Sequence, residues 1–196
     1  MMKNVIIIGA GGSLAKNVIE ELQKQKDVHL TLFLRNKARL QNPHLTDATI
    51  AEGDVMDYAA LRDVVKGQDI VYVNLAGNLE AMAKNIVKAM QETRVKRIIV
   101  ISSIGIYEYP LRPILQPYRK LADVIEASGL DYTILRPDWF TNADEVDYAL
   151  TKKGQPESGS AISRKSIASF IATIVERPEL HLNENLGISK PDKSAH

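Results

Sequence analysis

The stretch Val5-Ile6-Ile7-Ile8-Gly9-Ala10-Gly11-Gly12-Ser13-Leu14-Ala15 decides how the chain folds. A β-branched run such as residues 5–8 suits a parallel strand buried on both faces. A tight strand-to-helix turn needs a residue without Cβ at its start, here Gly9, and Gly12 lets the backbone approach a pyrophosphate closely. Residues 13–26 then carry Leu14, Val18, Ile19 and Leu22 at a helical period, with charges between them. The amides and positive dipole at the start of that helix would meet the phosphate charge, and the small Ala15 lets helix and strand pack closely. A glycine triplet alone is common; a strand before it and an amphipathic helix after it make it a dinucleotide turn. Gly9, Gly11, Gly12, Ser13, Leu14 and Ala15 are therefore candidate cofactor-binding residues.

Strand and helix patterns alternate outward from this turn. Further strands are expected at 29–34, Thr49–Glu52, 70–74, 97–102 and 132–135, with a short last one at 187–189. Helices are expected through 57–65, capped by Asp57 and closed by Gly67 as a left-handed residue, and at 79–92. Two more follow at 117–128, ending at Gly129, and at 163–176, stopped by Pro178. Alternating strands and helices imply an α/β fold: a Rossmann-type doubly wound parallel sheet flanked by helices. No repeat, low-complexity tract or linker divides residues 1–196, so one NAD(P)-binding domain is expected. Segments 104–116 and 138–161 lack strong periodicity and form the small substrate-side loop region, because such folds bind ligands beyond the carboxyl ends of their strands.

Composition narrows the function. The 196 residues can bury a proper core, and 45% hydrophobic with 25% charged residues is ordinary for a soluble protein. Twenty-five Lys plus Arg balance 24 Asp plus Glu without a block of either sign, so neither nucleic acid nor an anionic membrane is expected as a partner. The absence of cysteine excludes disulfides and thiolate chemistry, and favours the cytoplasm. His29, His44, His181 and His196 are scattered singly, so no metal site is expected. The apolar run at 5–8 is too short for a signal peptide or for a membrane span, which needs roughly 20 residues. A monomer and a homodimer both remain open.

The end of the second strand selects the dinucleotide. NAD sites usually place a carboxylate there for the ribose 2′-hydroxyl, whereas arginine suits a 2′-phosphate. The chain reads Leu32-Phe33-Leu34-Arg35-Asn36. Arg35 would offer a bidentate charge-assisted contact, so NADP(H) is preferred, with NAD(H) as the alternative. The same lack of an acid argues against S-adenosylmethionine.

Further motifs line up in order: Gly53-Asp54-Val55, Asn74-Leu75-Ala76-Gly77, Ile101-Ser102-Ser103, Ser128-Gly129-Leu130-Asp131-Tyr132-Thr133-Ile134-Leu135-Arg136-Pro137 and Ile162-Ser163-Arg164. Together they resemble the atypical short-chain dehydrogenase/reductases, in particular the small NmrA-like NAD(P)H-binding members, over nearly the whole chain. The resemblance implies roles. Asp54 and Val55 would hold the adenine, and Leu75, Ala76 and Gly77 would run beside the ribose and phosphates. Ser102 would join Asn36 among the cofactor contacts, and Pro137, Trp139 and Phe140 would lie near the nicotinamide. Ser103 matches the family's catalytic serine, four residues before Tyr107.

One departure matters. Conventional members use a Tyr-x-x-x-Lys pair whose spacing puts both side chains on one helical face. Here the segment is Pro117-Tyr118-Arg119-Lys120-Leu121-Ala122-Asp123, so Ala122 stands in the lysine's place. Lys120 is two residues from Tyr118, roughly 200° round a helix, and cannot serve it from the same face. Related small members carry a lysine just before Leu-Ala-Asp, which implies a role for Arg119 or Lys120. Tyr118, Lys120 and Ser103 are the catalytic candidates. The expected function is an NADP(H)-dependent oxidoreductase acting on a small planar acceptor (a flavin, quinone or enone), with Trp139, Phe140, Tyr107 and Tyr109 as apolar walls. The alternative is a non-catalytic NADP(H)-binding redox sensor.

Overall fold

A computed structural model describes residues 1–42 and 44–192. His196, one of the four single histidines, lies outside them. The first strand, β1 (Lys3–Ile8), alternates its burial between two apolar layers. Val5 and Ile7 face one, while Ile6 and Ile8 face the other, all fully buried. The layer at Val5 and Ile7 is covered by α1 (Ser13–Leu22) and α5 (Arg164–Glu176), whose Leu14, Val18, Ile167 and Ile171 share that core. The opposite layer is covered by α2 (Tyr58–Val65), α3 (Leu79–Thr93) and α4 (Gln116–Glu126) through Leu61, Ile86 and Leu121. Each such isoleucine or leucine contributes about 1.5–3 kcal/mol by leaving water, so this strand is heavily anchored.

The remaining strands are β2 (Val28–Leu34), β3 (Thr49–Glu52), β4 (Ile70–Val73), β5 (Arg97–Ile101), β6 (Asp131–Pro137), β7 (Phe140–Thr141), β8 (Ala149–Lys152), β9 (Ile162–Ser163) and β10 (Glu184–Ser189). Eight of them form one sheet in the order β3-β2-β1-β4-β5-β6-β10-β8. All pairings in it are parallel except β10 with β8, so the expected doubly wound α/β fold is observed. The chain reverses direction of growth between β1 and β4, where Ile8 pairs with Val73. A doubly wound sheet opens a ligand crevice at that switch point. No helix among the described residues is long and apolar enough to cross a membrane.

Local signals place the helix ends. Asp57 caps α2, its carboxylate accepting from the Ala60 amide at 3.2 Å, and Gly67 follows at φ +81°. Ser163 caps α5 by accepting from the Ser166 amide at 2.9 Å. The structure differs from the sequence reading at several element ends and in the two loop segments, and β6 runs over Asp131–Pro137 rather than 132–135. Helix α1 stops at Leu22 rather than 26, because Gln23 to Gln25 close it with short backbone bonds to Ile19, Glu21 and Leu22. The last strand is six residues long, since parallel pairing with β6 carries it back to Glu184. Segment 104–116 contains a 3₁₀ turn at Pro113–Leu115, entered at Pro113. Segment 138–161 supplies β7, which pairs with β9, and the antiparallel edge strand β8.

Candidate functional site

A cleft of about 360 Å³ opens at the switch point, lined by the glycine turn and by residues ending β2, β3 and β4. Gly9 sits at φ +92°, and a Cβ there would lie 2.1 Å from the Asn74 carbonyl oxygen. The turns after β1 and β4 therefore touch backbone to backbone, which only glycine permits. The Gly9 and Ala10 amides both donate to the Phe33 carbonyl, at 3.0 and 3.3 Å, tying the turn to β2. Gly12 caps α1 without any side-chain hydrogen bond, and the first turn of α1 carries no acidic residue. Its leading amides thus keep their donors for a ligand. Gly9, Gly11, Gly12, Ser13 and Leu14 line the cleft, while Ala15 is fully buried behind them.

Arg35 and Asn36 line the end beside β2, and so does Arg39, which the sequence reading missed. The Asn36 side chain accepts from the Ala38 amide at 2.9 Å and starts a 3₁₀ turn at Lys37–Arg39. That turn brings Arg39 back over Gly11, its Cβ 3.2 Å from where a Gly11 Cβ would stand. An asparagine cap followed by Lys37-Ala38-Arg39 was the available signal. Lys37 pairs with Glu52 at 3.8 Å, whereas Arg35 and Arg39 make no ion pair among the described residues. Two exposed guanidiniums thus line the cleft without an ion-pair partner among the described residues.

Asp54 and Val55 line the same end of the cleft. One Asp54 oxygen accepts from the Met56 amide at 2.8 Å in an Asx turn, leaving Oδ2 without a hydrogen bond among the described residues. Phe33 lies close against Gly53, where a Cβ would meet its ring at 2.7 Å, and forms part of the lining. From the turn after β4 come Asn74, Leu75 and Ala76, while Gly77 stays outside the lining. The far end is closed by Met82, by Tyr118 from α4 and by Phe140 from β7.

Other candidates are placed elsewhere. The buried Ser102 hydroxyl donates to the Tyr118 carbonyl at 3.1 Å, pinning α4 to β5, so it is not offered to the cleft. Ser103 donates to the adjacent Ile104 carbonyl at 3.1 Å, and Pro137 is buried under it, its carbonyl accepting from the Ile104 amide. Trp139 is 75% exposed and Tyr109 is 99% exposed, so neither walls the cleft. Lys120 reaches to α3 and pairs with Glu80 at 2.9 Å, beside Lys84 at 2.7 Å. Lys84 and then Lys120 hold the Glu80 carboxyl down at about 2. Arg119 bonds Asp123 at 2.9 Å and lies over the Tyr107 ring at 4.7 Å. Neither cation thus serves the Tyr118 phenol. Ala122 is fully buried in the apolar layer, so the place of the usual lysine faces the core.

Tyr107 belongs to a second cavity of about 360 Å³, shared with Glu108, Arg136 and residues 154–157. Its hydroxyl accepts from Asn185 at 2.7 Å, and Lys153 and Arg136 approach its ring at 4.8 and 5.2 Å. Burial first, then Glu126, pushes this phenol up, so it stays protonated near neutrality. Glu157 joins the two substrate-side segments: it accepts from the Gly105 amide at 2.9 Å and pairs with the buried Arg136.

The NAD(P)H-binding family matches residues 9–178, most of the chain. The chain belongs to the NAD(P)H-binding family. Similar solved structures agree with that assignment. A Rossmann-fold NAD(P)-binding family protein from Shigella flexneri is 46% identical, with a TM-score of 0.90, 97% of this chain covered and 95% of that one. A short-chain dehydrogenase/reductase from Veillonella parvula, solved in complex with NADP, is 27% identical with a TM-score of 0.87, covering 97% and 96%. A phenylcoumaran benzylic ether reductase from Ginkgo biloba is 27% identical over 168 residues, 78% of this chain. The chain spans about half of that relative's length (52%). The NAD(P)H-binding family expected from the sequence is therefore shown.

Proposed function

We propose that the protein is a cytoplasmic NADP(H)-dependent oxidoreductase, folded as one domain, that reduces a small planar acceptor of the flavin, quinone or enone class. The observation that carries the NADP(H) preference is the pair Arg35 and Arg39, both lining the cleft beside β2 with no acid paired to them among the described residues. Planar guanidiniums suit a dianionic 2′-phosphate, and no carboxylate stands at the end of β2 to receive a 2′-hydroxyl. The glycine turn, with its uncapped α1 amides, fits the diphosphate, and Asp54 Oδ2 suits the adenine amino group. The bound dinucleotide supplies a hydride. Tyr118 and Phe140 then provide a flat apolar end against which a planar acceptor is oriented, which suits chemistry that depends mainly on positioning.

Removing one guanidinium removes charge-assisted hydrogen bonds worth about 1.5–3 kcal/mol. Arg35→Ala and Arg39→Ala should therefore each raise the Kd for NADPH by about tenfold or more while leaving that for NADH within about twofold. Fluorescence titration of the two nucleotides checks this; a matching loss for both would remove the 2′-phosphate assignment. Lys120→Ala, whose ammonium sits on Glu80, should change neither affinity.

A redox sensor that binds NADP(H) without turnover is the second reading. The observation favouring it is that Lys120 and Arg119, the cations next to Tyr118 in the chain, are engaged by Glu80 and Asp123 instead. Following NADPH oxidation with a panel of flavins, quinones and enones separates the two. Turnover above the uncatalysed rate supports the reductase; tight binding with none across the panel supports the sensor.

A further inference from the structure

We infer that Arg164 binds the dinucleotide's diphosphate and couples its arrival to the substrate-side segment, an inference that rests on the dinucleotide reading above. Arg164 opens α5, yet its side chain reaches the first residue of α1, 151 positions earlier in the chain. Its Nε donates to the Ser13 hydroxyl at 3.3 Å, and Nη1 donates to the Asn142 side-chain carbonyl at 2.9 Å. The guanidinium lies 5.0 Å from the centre of the Phe140 ring. Ser13 and Phe140 both line the cleft, so this cation stands at its lip between the glycine turn and the aromatic end.

The charge balance around Arg164 is what points to an anion. Nearby acids are already taken by lysines: Asp144 by Lys165 at 2.5 Å and Glu145 by Lys190 at 2.7 Å. Arg164 has no carboxylate partner among the described residues, and its Nη2 makes no hydrogen bond there. It rests on a neutral hydroxyl, a neutral amide and an aromatic face. It also stands beside the positive end of α1, which has no acidic residue in its first turn. Two positive features side by side repel each other, and a diphosphate between them relieves that repulsion while adding charge-assisted hydrogen bonds. The cation–π contact with Phe140 and the Asn142 bond keep the guanidinium in place before the ligand arrives, so little side-chain freedom is lost on binding.

The same contacts give the coupling. Phe140 and Asn142 belong to the start of segment 138–161, and Phe140 forms the acceptor end of the cleft. Drawing Arg164 onto the diphosphate holds both residues through the ring and the Asn142 bond. Acceptor binding then follows dinucleotide binding.

The test compares NADPH with adenosine 2′-monophosphate, which carries the 2′-phosphate but lacks the diphosphate, by titration calorimetry and ligand-observed NMR. Arg164→Gln should raise the Kd for NADPH by about tenfold or more and leave that for adenosine 2′-monophosphate within twofold. Arg35→Ala should weaken both ligands. Arg164→Lys, which keeps the charge but not the fork, should fall between wild type and Arg164→Gln. An unchanged NADPH affinity in Arg164→Gln overturns the inference alone, and so does an equal loss for both ligands, which marks a merely structural role. Failure of the unaltered protein to bind either ligand overturns the dinucleotide reading, and this inference with it.

Discussion

Gly9→Ala should lower the melting temperature by roughly 5–15 °C and abolish dinucleotide binding. A Cβ at φ +92° costs about 1–2 kcal/mol in backbone strain alone. The methyl would also lie 2.1 Å from the Asn74 carbonyl oxygen, so the turns after β1 and β4 must separate. Such overpacking adds about 1–3 kcal/mol, and each kcal/mol moves the melting point of a chain this size by about 2–4 °C. Gly12→Ala separates fold from binding. Gly12 has φ −79° and ψ 158°, open to any residue, and its Cβ would meet nothing nearer than the Gly9 carbonyl at 3.4 Å. That variant should melt within a few degrees of wild type yet bind NADPH at least about tenfold more weakly, because the methyl obstructs the diphosphate's approach. Thermal melts paired with nucleotide titration check both variants. A Gly9→Ala protein that melts like wild type would contradict the backbone contact between the two turns.

Glu157→Ala should be the most destabilising change outside the cleft. Arg136 is 2% exposed in the side chain and has Glu157 as its carboxylate partner, while its Nε has no hydrogen bond among the described residues. Removing one member of a buried ion pair costs about 3–5 kcal/mol, since the other charge stays behind without compensation. Glu157 also accepts from the Gly105 amide, so its loss frees residues 154–157 from the chain after β5. The expected fall in melting temperature is roughly 6–20 °C. Glu157→Gln, which keeps an acceptor for Gly105, should lose less. Replacing both partners, Arg136→Met with Glu157→Leu, should recover most of the stability, because no charge is then left buried. A double-mutant cycle by thermal melting measures the coupling; a Glu157→Ala cost within about 0.5 kcal/mol would mean that solvent already satisfies Arg136.

Most of the fold was legible because its signals are local. The run at 5–8, the glycine turn and the Asp57 cap each act within a few residues, and the structure places them as the pattern requires; Ser163, read as the first residue of the late helix, is instead its cap. Strands β7, β8 and β9 were not legible, since two to four residues show no periodicity and only pairing with β9, β10 and β7 defines them. The cleft divides in the same way. The glycine turn and Arg35 could be found by position along the chain, while Asp54, Val55, Leu75 and Ala76 came from the family resemblance; all of these candidate residues line the cleft except the buried Ala15. Arg39 needed the turn that Asn36 starts, and Arg164 needed the packing of α5 on α1 across 151 residues. Spacing showed that Lys120 cannot share a face with Tyr118, but not that Glu80 from α3 would claim it. Tyr107 was expected as an apolar wall; the strand order instead turns it toward Asn185 and Lys153.

The central claim is that the cleft between the ends of β1 and β4 is an NADP(H) site whose 2′-phosphate is met by Arg35 and Arg39. The most direct measurement is a calorimetric titration of the unaltered protein with NADPH and with NADH under identical salt. The account predicts one site per chain, with NADPH bound at least about tenfold more tightly than NADH. Equal affinities, or tighter binding of NADH, would contradict it.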